Sequence, residues 1–157
     1  GQFDTPAVVR FVQDLDPSRL INNASGWDDK NVGHVIDKHE YVGPAIPTPS
    51  TGRASVLGEF GGLGLPIEGH KWDPERTYDY EMQSTVEALQ ERYLGLIEEL
   101  HPLMGNGRLS AAIYTQLTDV ETEVNGILTY DRAVEKMDGE AIGAAHRALI
   151  EASRSIK

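Results

Sequence analysis

Four short apolar stretches, none with the strict alternation of a half-buried strand, are separated by segments of helical periodicity, and this pattern constrains the fold most. The stretches are residues 19–23, 35–41, 54–59 and 109–114. Strands that are apolar throughout fit a parallel sheet covered on both faces, with the interleaved helices as crossovers. The expected fold is therefore α/β, with four parallel strands and intervening helices. Asp4-Thr5-Pro6 reads as a helix start, Val8, Val9, Phe11, Val12 and Leu15 as its apolar stripe, and Asp16-Pro17 as its end. Met82, Val86, Leu89, Tyr93, Leu96, Ile97, Leu100 and Leu103 recur at steps of three and four and predict the longest helix, closed by Gly105 and Gly107. Ser84 and Glu87 have capping-box spacing if that helix starts there. A last helix is expected from about Glu140 to Ser153, with Ile142, Ala145, Leu149 and Ala152 on one face.

Size and charge narrow the function classes. At 157 residues the chain is one domain or a piece of one, and it holds no apolar run long enough to cross a bilayer. Its 25 acidic against 14 basic residues give a formal charge of −11, which argues against a nucleic-acid partner and leaves neutral ligands open. With no Cys there is no disulfide, thiolate metal site or cysteine nucleophile. The other histidines, His34, His70, His101 and His146, have no metal-ligand spacing, and no cofactor is expected. No Gly-x-Ser-x-Gly nucleophile motif and no phosphate-binding Gly-rich loop is present, which sets other α/β hydrolases aside. The first residues carry no basic region, signal-like apolar core or starting Met, as expected of a processed chain or a piece of a longer protein.

Chemistry-bearing side chains collect just after the apolar stretches. Asn22, Asn23 and Trp27 follow the first, His39 and Tyr41 end the second, and Glu59 ends the third, inside Gly58-Glu59-Phe60-Gly61-Gly62. Gln116, Asp119, Glu121 and Asn125 follow the fourth. An apolar strand that delivers a carboxylate at its C-terminal end, where the chain turns, is how α/β barrels place catalytic groups, and Glu59 is the leading site residue. The loop after it, residues 61–78, is rich in Gly and Pro, carries His70 and Trp72, and is longer than a connection needs to be.

Four ordered motifs, Asn22-Asn23-Ala24-Ser25-Gly26-Trp27, His39-Glu40-Tyr41, Gly58-Glu59-Phe60-Gly61-Gly62 and Tyr114-Thr115-Gln116 through Asp119 to Gly126, resemble the C-terminal half of the catalytic barrel of family 2 glycoside hydrolases, the β-galactosidase and β-glucuronidase group. The resemblance covers nearly the whole chain. It implies a single partial domain over residues 1–157, the C-terminal half of a TIM (β/α)8 barrel with strands five to eight. It further implies that Glu59 is the nucleophile of a retaining β-glycosidase. Asn22, Asn23, Trp27, His39, Tyr41, Gln116, Asp119 and Glu121 are then the substrate-binding set. In that family the general acid/base is the Glu of an Asn-Glu pair, and no such pair occurs in this sequence. The expected protein is a fragment that needs the other barrel half as partner and is inactive alone.

Several residues keep two readings. Tyr41 is either a packed aromatic or, as the resemblance implies, a hydrogen-bond donor to Glu59; His39 is a structural group or a donor to a sugar hydroxyl, and Trp72 a sugar platform or a pin for its own loop. The alternative for the whole chain is a non-catalytic carbohydrate-binding module. A half-barrel leaves two strand edges and an inner apolar face open, so self-association is expected.

Overall fold

The computed structural model describes residues 2–23, 26–105 and 108–154. The order is α1 (Thr5–Leu15), β1 (Val35–Glu40), β2 (Ala54–Gly61), β3 (Leu63–Gly64), β4 (Glu81–Met82), α2 (Val86–Gly105), β5 (Ala111–Thr115) and α3 (Gly139–Arg154). The protein is a mixed α/β structure with parallel strands. Its main sheet has three strands in the order β1-β2-β5, and β3 pairs with β4 in a separate two-stranded ladder.

Three of the four expected strands form, with shifted ends. Residues 19–23 make no strand. Ile21 reaches the neighbouring segment through one backbone bond, from His34 N–H to its carbonyl at 2.8 Å, while its own N–H donates to His34 Nδ1 at 2.9 Å. A side chain thus takes the place of the next ladder carbonyl, and pairing stops there. The connection from β1 to β2 is a Pro-rich loop rather than a helix, because Pro44, Pro47 and Pro49 remove donors and fix φ. The Gly- and Pro-rich loop after β2 contains the short strand β3, and its partner β4 follows the end of that loop.

Helix α2 begins at Val86, and its cap is Thr85, whose Oγ1 accepts from Ala88 N–H at 3.1 Å. Ser84 is therefore outside the cap, and Met82 belongs to β4, where it is half-exposed. Asp4 precedes α1 with φ 47° and makes no side-chain cap, so the expected capping role is absent and Pro6 is the remaining start signal. Asp138 does cap α3, accepting from Glu140 N–H at 2.9 Å.

One face of the main sheet carries the core. Leu57 and Phe60 of β2 cluster with Leu89, Tyr93, Leu96 and Leu100 of α2 and with Ile142 and Leu149 of α3, and Ala112 and Tyr114 of β5 pack against them. The tyrosine rings interlock edge-to-face, Tyr93 on Tyr114 at 4.6 Å and Phe60 on Tyr114 at 5.8 Å. Strand alternation turns Ile113 and Thr115 to the opposite face, where Ile113 is 57% exposed. The apolar stripe of α1 is also largely bare: only Val9 is buried, while Val8, Phe11 and Leu15 are exposed.

Candidate functional site

Strict alternation would put Glu59 on the same face as Leu57, inside the core. It does not go there, because β2 carries one extra residue. Lys38 pairs with Leu57 and His39 with Glu59, so Gly58 has no partner on β1. The register to β5 also shifts between Leu57 and Phe60. This bulge lets Leu57 and Phe60 both face the helices while Glu59 turns to the open side. The freed Gly58 N–H donates to Asp37 Oδ1 at 2.9 Å, and a Cβ at this position would lie 2.0 Å from that oxygen, so only glycine fits.

Two neighbours hold the Glu59 carboxylate. The Tyr41 hydroxyl donates to Oε2, and His39 Nδ1 lies 3.1 Å from the same oxygen. Thr115 Oγ1 is 3.3 Å from the Tyr41 hydroxyl. Burial, and then the adjacent Glu59 carboxylate, push the Tyr41 phenol upward, which keeps it protonated and able to donate. The Glu59 side chain stays 42% exposed, so a ligand can reach it.

Tyr80 lies flat on Tyr41, ring centroids 3.8 Å apart and planes within 1°. It arrives at the end of the long loop, next to Tyr78, whose ring meets it at 5.7 Å. Gly62, at φ 65°, makes the stack possible, since a Cβ there would come within 2.6 Å of Tyr80 and 3.0 Å of Tyr41. The peptide bonds Tyr41–Val42 and Thr115–Gln116, at the ends of the two flanking strands, are cis.

Of the residues expected from sequence, His39 and Tyr41 touch Glu59 directly. Trp27 is 71% exposed and meets the His39 ring edge-on at 5.7 Å. Asn22 donates to Asp37 Oδ2 at 3.0 Å, behind His39. Asn23 sits against Arg53, whose Nη2 lies 3.4 Å from its Oδ1. Arg53 also pairs with Asp29 at 2.7 Å and donates to the Val32 carbonyl at 2.9 Å, which fastens the loop carrying Trp27 to the start of β2. That guanidinium holds the Asp29 carboxyl below its ordinary value.

Gln116 belongs to a neighbouring amide chain. Its Nε2 donates to Asn125 Oδ1 at 2.8 Å and to Glu123 Oε2 at 3.0 Å, and Asn125 Nδ2 donates to Asp79 Oδ1 at 3.1 Å. Asp79 is pushed up to about 7, chiefly by burial. Asp119 faces inward. It is 4% exposed and accepts from Lys136 Nζ and Gly126 N–H, each at 2.7 Å, so its expected place among substrate-facing groups is taken by a buried ion pair. Burial pushes Asp119 up and Lys136 down, each towards its neutral form, while their contact pulls both back. Glu121 is exposed in a turn at φ 52°. Trp72 is half-exposed in the long loop, which His70 ties to Asp131 at 2.8 Å.

Asp37, Tyr80 and Asp79 were missed by the sequence reading. Asp37 carried a usable signal, since it lies two residues before His39 in an expected strand and so on the same face. Tyr80 and Asp79 carried none. Among the described residues no group of three or more His, Asp or Glu side chains is placed to hold a metal ion. No protein-family model and no curated protein matches this chain.

Proposed function

We propose that Glu59 is the attacking carboxylate of a retaining β-glycosidase and that the chain is the C-terminal half of a (β/α)8 barrel. The observation that carries this reading is the bulge at Gly58, which turns a carboxylate out of the core at the C-terminal end of the central parallel strand and between the Tyr41 hydroxyl and the His39 ring. A nucleophilic carboxylate must be ionised, accessible and fixed in direction. Tyr41 and His39 fix its direction, and the open face leaves one side free for a sugar. Trp27, against the His39 ring, and Tyr78, against the Tyr80 ring, are exposed aromatics suited to the apolar C–H surface of a pyranose.

A retaining mechanism needs a second carboxyl roughly 5–5.5 Å from the first, to protonate the leaving oxygen and then activate water. Asp37 is engaged behind His39 and Asp79 in the amide chain, so the reading assigns the acid/base to the other barrel half. An activated aryl 2-deoxy-2-fluoro-β-galactoside, whose good leaving group needs little acid help, tests this on the protein as its source makes it. The expected result is a covalent mass gain mapped to Glu59 and absent in Glu59→Gln. No adduct, or one on another residue, overturns the assignment. The 157-residue chain alone is expected to leave aryl β-galactosides intact. Turnover by it that Glu59→Gln abolishes would refute the missing partner.

A further inference from the structure

We propose that residues 78–80 are a latch worked by the Asp79 carboxyl: seated and protonated, it holds Tyr80 flat on Tyr41, and loss of its proton releases the segment. The segment has little else to hold it. Tyr78 and Tyr80 are about half-exposed, so little apolar burial fixes them beyond the stack of Tyr80 on Tyr41 at 3.8 Å. Its backbone is tied by Tyr78 N–H to the Thr122 carbonyl at 2.7 Å and by Val124 N–H to the Tyr78 carbonyl at 3.3 Å. The residues that follow are anchored. β4 pairs with β3, Gln83 N–H donates to the Gly64 carbonyl at 2.7 Å, and Glu81 pairs with Arg92 of α2 at 3.1 Å, so release is expected to stop at Glu81.

The Asp79 side chain reaches inward from this segment. Its Oδ1 accepts from Asn125 Nδ2 at 3.1 Å and from Tyr80 N–H at 3.0 Å, while Oδ2 is buried with no hydrogen-bond partner among the described residues. It fits because residue 64 is glycine: a Cβ there would lie 2.6 Å from the Asp79 Cβ and 2.8 Å from Oδ2. A neutral carboxyl tolerates a bare buried oxygen far better than a charged one does. The surrounding groups do not compensate a charge in that place. Glu123 repels it, and Val124 N–H, which pulls on it weakly, donates to the Tyr78 carbonyl. Lys136 feels it but is engaged by Asp119 at 2.7 Å. The Tyr114 phenol, and that of Tyr80 on the latch itself, are raised by burial and stay protonated. Burial accordingly pushes the Asp79 carboxyl up to about 7.

Once released, Asp79 should titrate near its ordinary value of about 3.9. Between that value and about 7 the seated form holds a proton that the released form has lost. The opening constant should therefore rise about tenfold per pH unit through this window and level off above it. Hydrogen exchange of the full chain from about pH 5 to about pH 8 tests this, read at the Tyr78, Tyr80 and Val124 amides. Their protection is expected to fall about 100-fold up to about pH 7 and little further beyond it, and to stay below that of Gln83 and the β2 amides throughout. Asp79→Asn should make it independent of pH. Native protection that does not change with pH, the same change in Asp79→Asn, or opening of these amides only together with those of β2 overturns the latch. If Asp79→Asn fails to fold, the Asp79 carboxyl-carbon NMR signal decides: a midpoint near 7 that matches the loss of protection supports the latch, and one near 4 overturns it. The latch stands apart from the glycosidase reading of Glu59, so hydrogen exchange and fluoro-sugar labelling fail independently.

Discussion

The two faces of the main sheet differ in what holds them. The face with Leu57, Phe60 and Tyr114 is a continuous apolar contact with α2 and α3, and Leu57 has no exposed surface at all. The face with Asp37, His39, Glu59 and Thr115 is held by a few directed contacts, the shortest of them made by partners far apart in sequence. Stability resides mainly on the first face, because burial is additive and insensitive to direction. The site resides on the second, where a carboxylate keeps its exposure and its aim. Breaking one face should leave the other readable.

The largest effect is expected on the covered side. Leu57→Ala should cost about 3 kcal/mol through lost burial and the cavity left behind, measured as a lower denaturant midpoint with unchanged slope. The Glu59 contacts should survive wherever the chain is folded, seen as unaltered side-chain NMR signals of Tyr41 and His39. A loss of both together would mean that the faces are not separable.

A middle-sized effect is expected at the rim, at Asp79. Its carboxyl is raised to about 7 in the folded chain, first by burial and further by Glu123, against the pull of Tyr80 N–H and Asn125. The unfolded chain gives up this proton near its ordinary value of about 3.9. Between these values the native state binds more protons than the unfolded one, so this group makes stability fall as pH rises, with the full cost present above about 7. Asp79→Asn should therefore stabilise the chain by about 2 kcal/mol at about pH 8 and change it little near pH 4, read from thermal midpoints at the two pH values. An equal gain at both would show that packing, not ionisation, is the cause.

The smallest effect is expected on the open face itself. Ile113→Lys should stay within about 0.5 kcal/mol in a dilute monomer, because the side chain already lies in solvent. A larger loss, or a concentration-dependent midpoint that the substitution abolishes, would mean that a second copy or another barrel half covers this face in solution.

How much of this was legible in the sequence follows the range of the interactions. Helix α3 reads correctly because the stripe through Ile142, Ala145, Leu149 and Ala152 is a local signal. Glu59, His39 and Tyr41 were legible as polar groups at strand ends, which is a local signal, whereas the pairing of Tyr41 with Glu59 was suggested by the resemblance alone. Residues 19–23 misled, since their composition suits a strand while a single side chain, His34 Nδ1, stops the ladder. The role of Asp119 was illegible because its partner, Lys136, lies 17 residues away along an irregular loop and nothing in either neighbourhood predicts burial. Tyr80 belongs to the same class. Its stacking on Tyr41 depends on the return of a long loop and on the missing side chain of Gly62.

The bulge at Gly58 means that the site is encoded in pairing register as well as in residue type. With Gly58 in an unbroken ladder, Glu59 would stand two positions after Leu57 and point at the helices, so the acid reaches the open face only because the ladder skips one residue. A strand with all the same residues and regular pairing would present the apolar side chain of Phe60 where a sugar should meet a nucleophile. For a chain like this one, register is itself a functional feature.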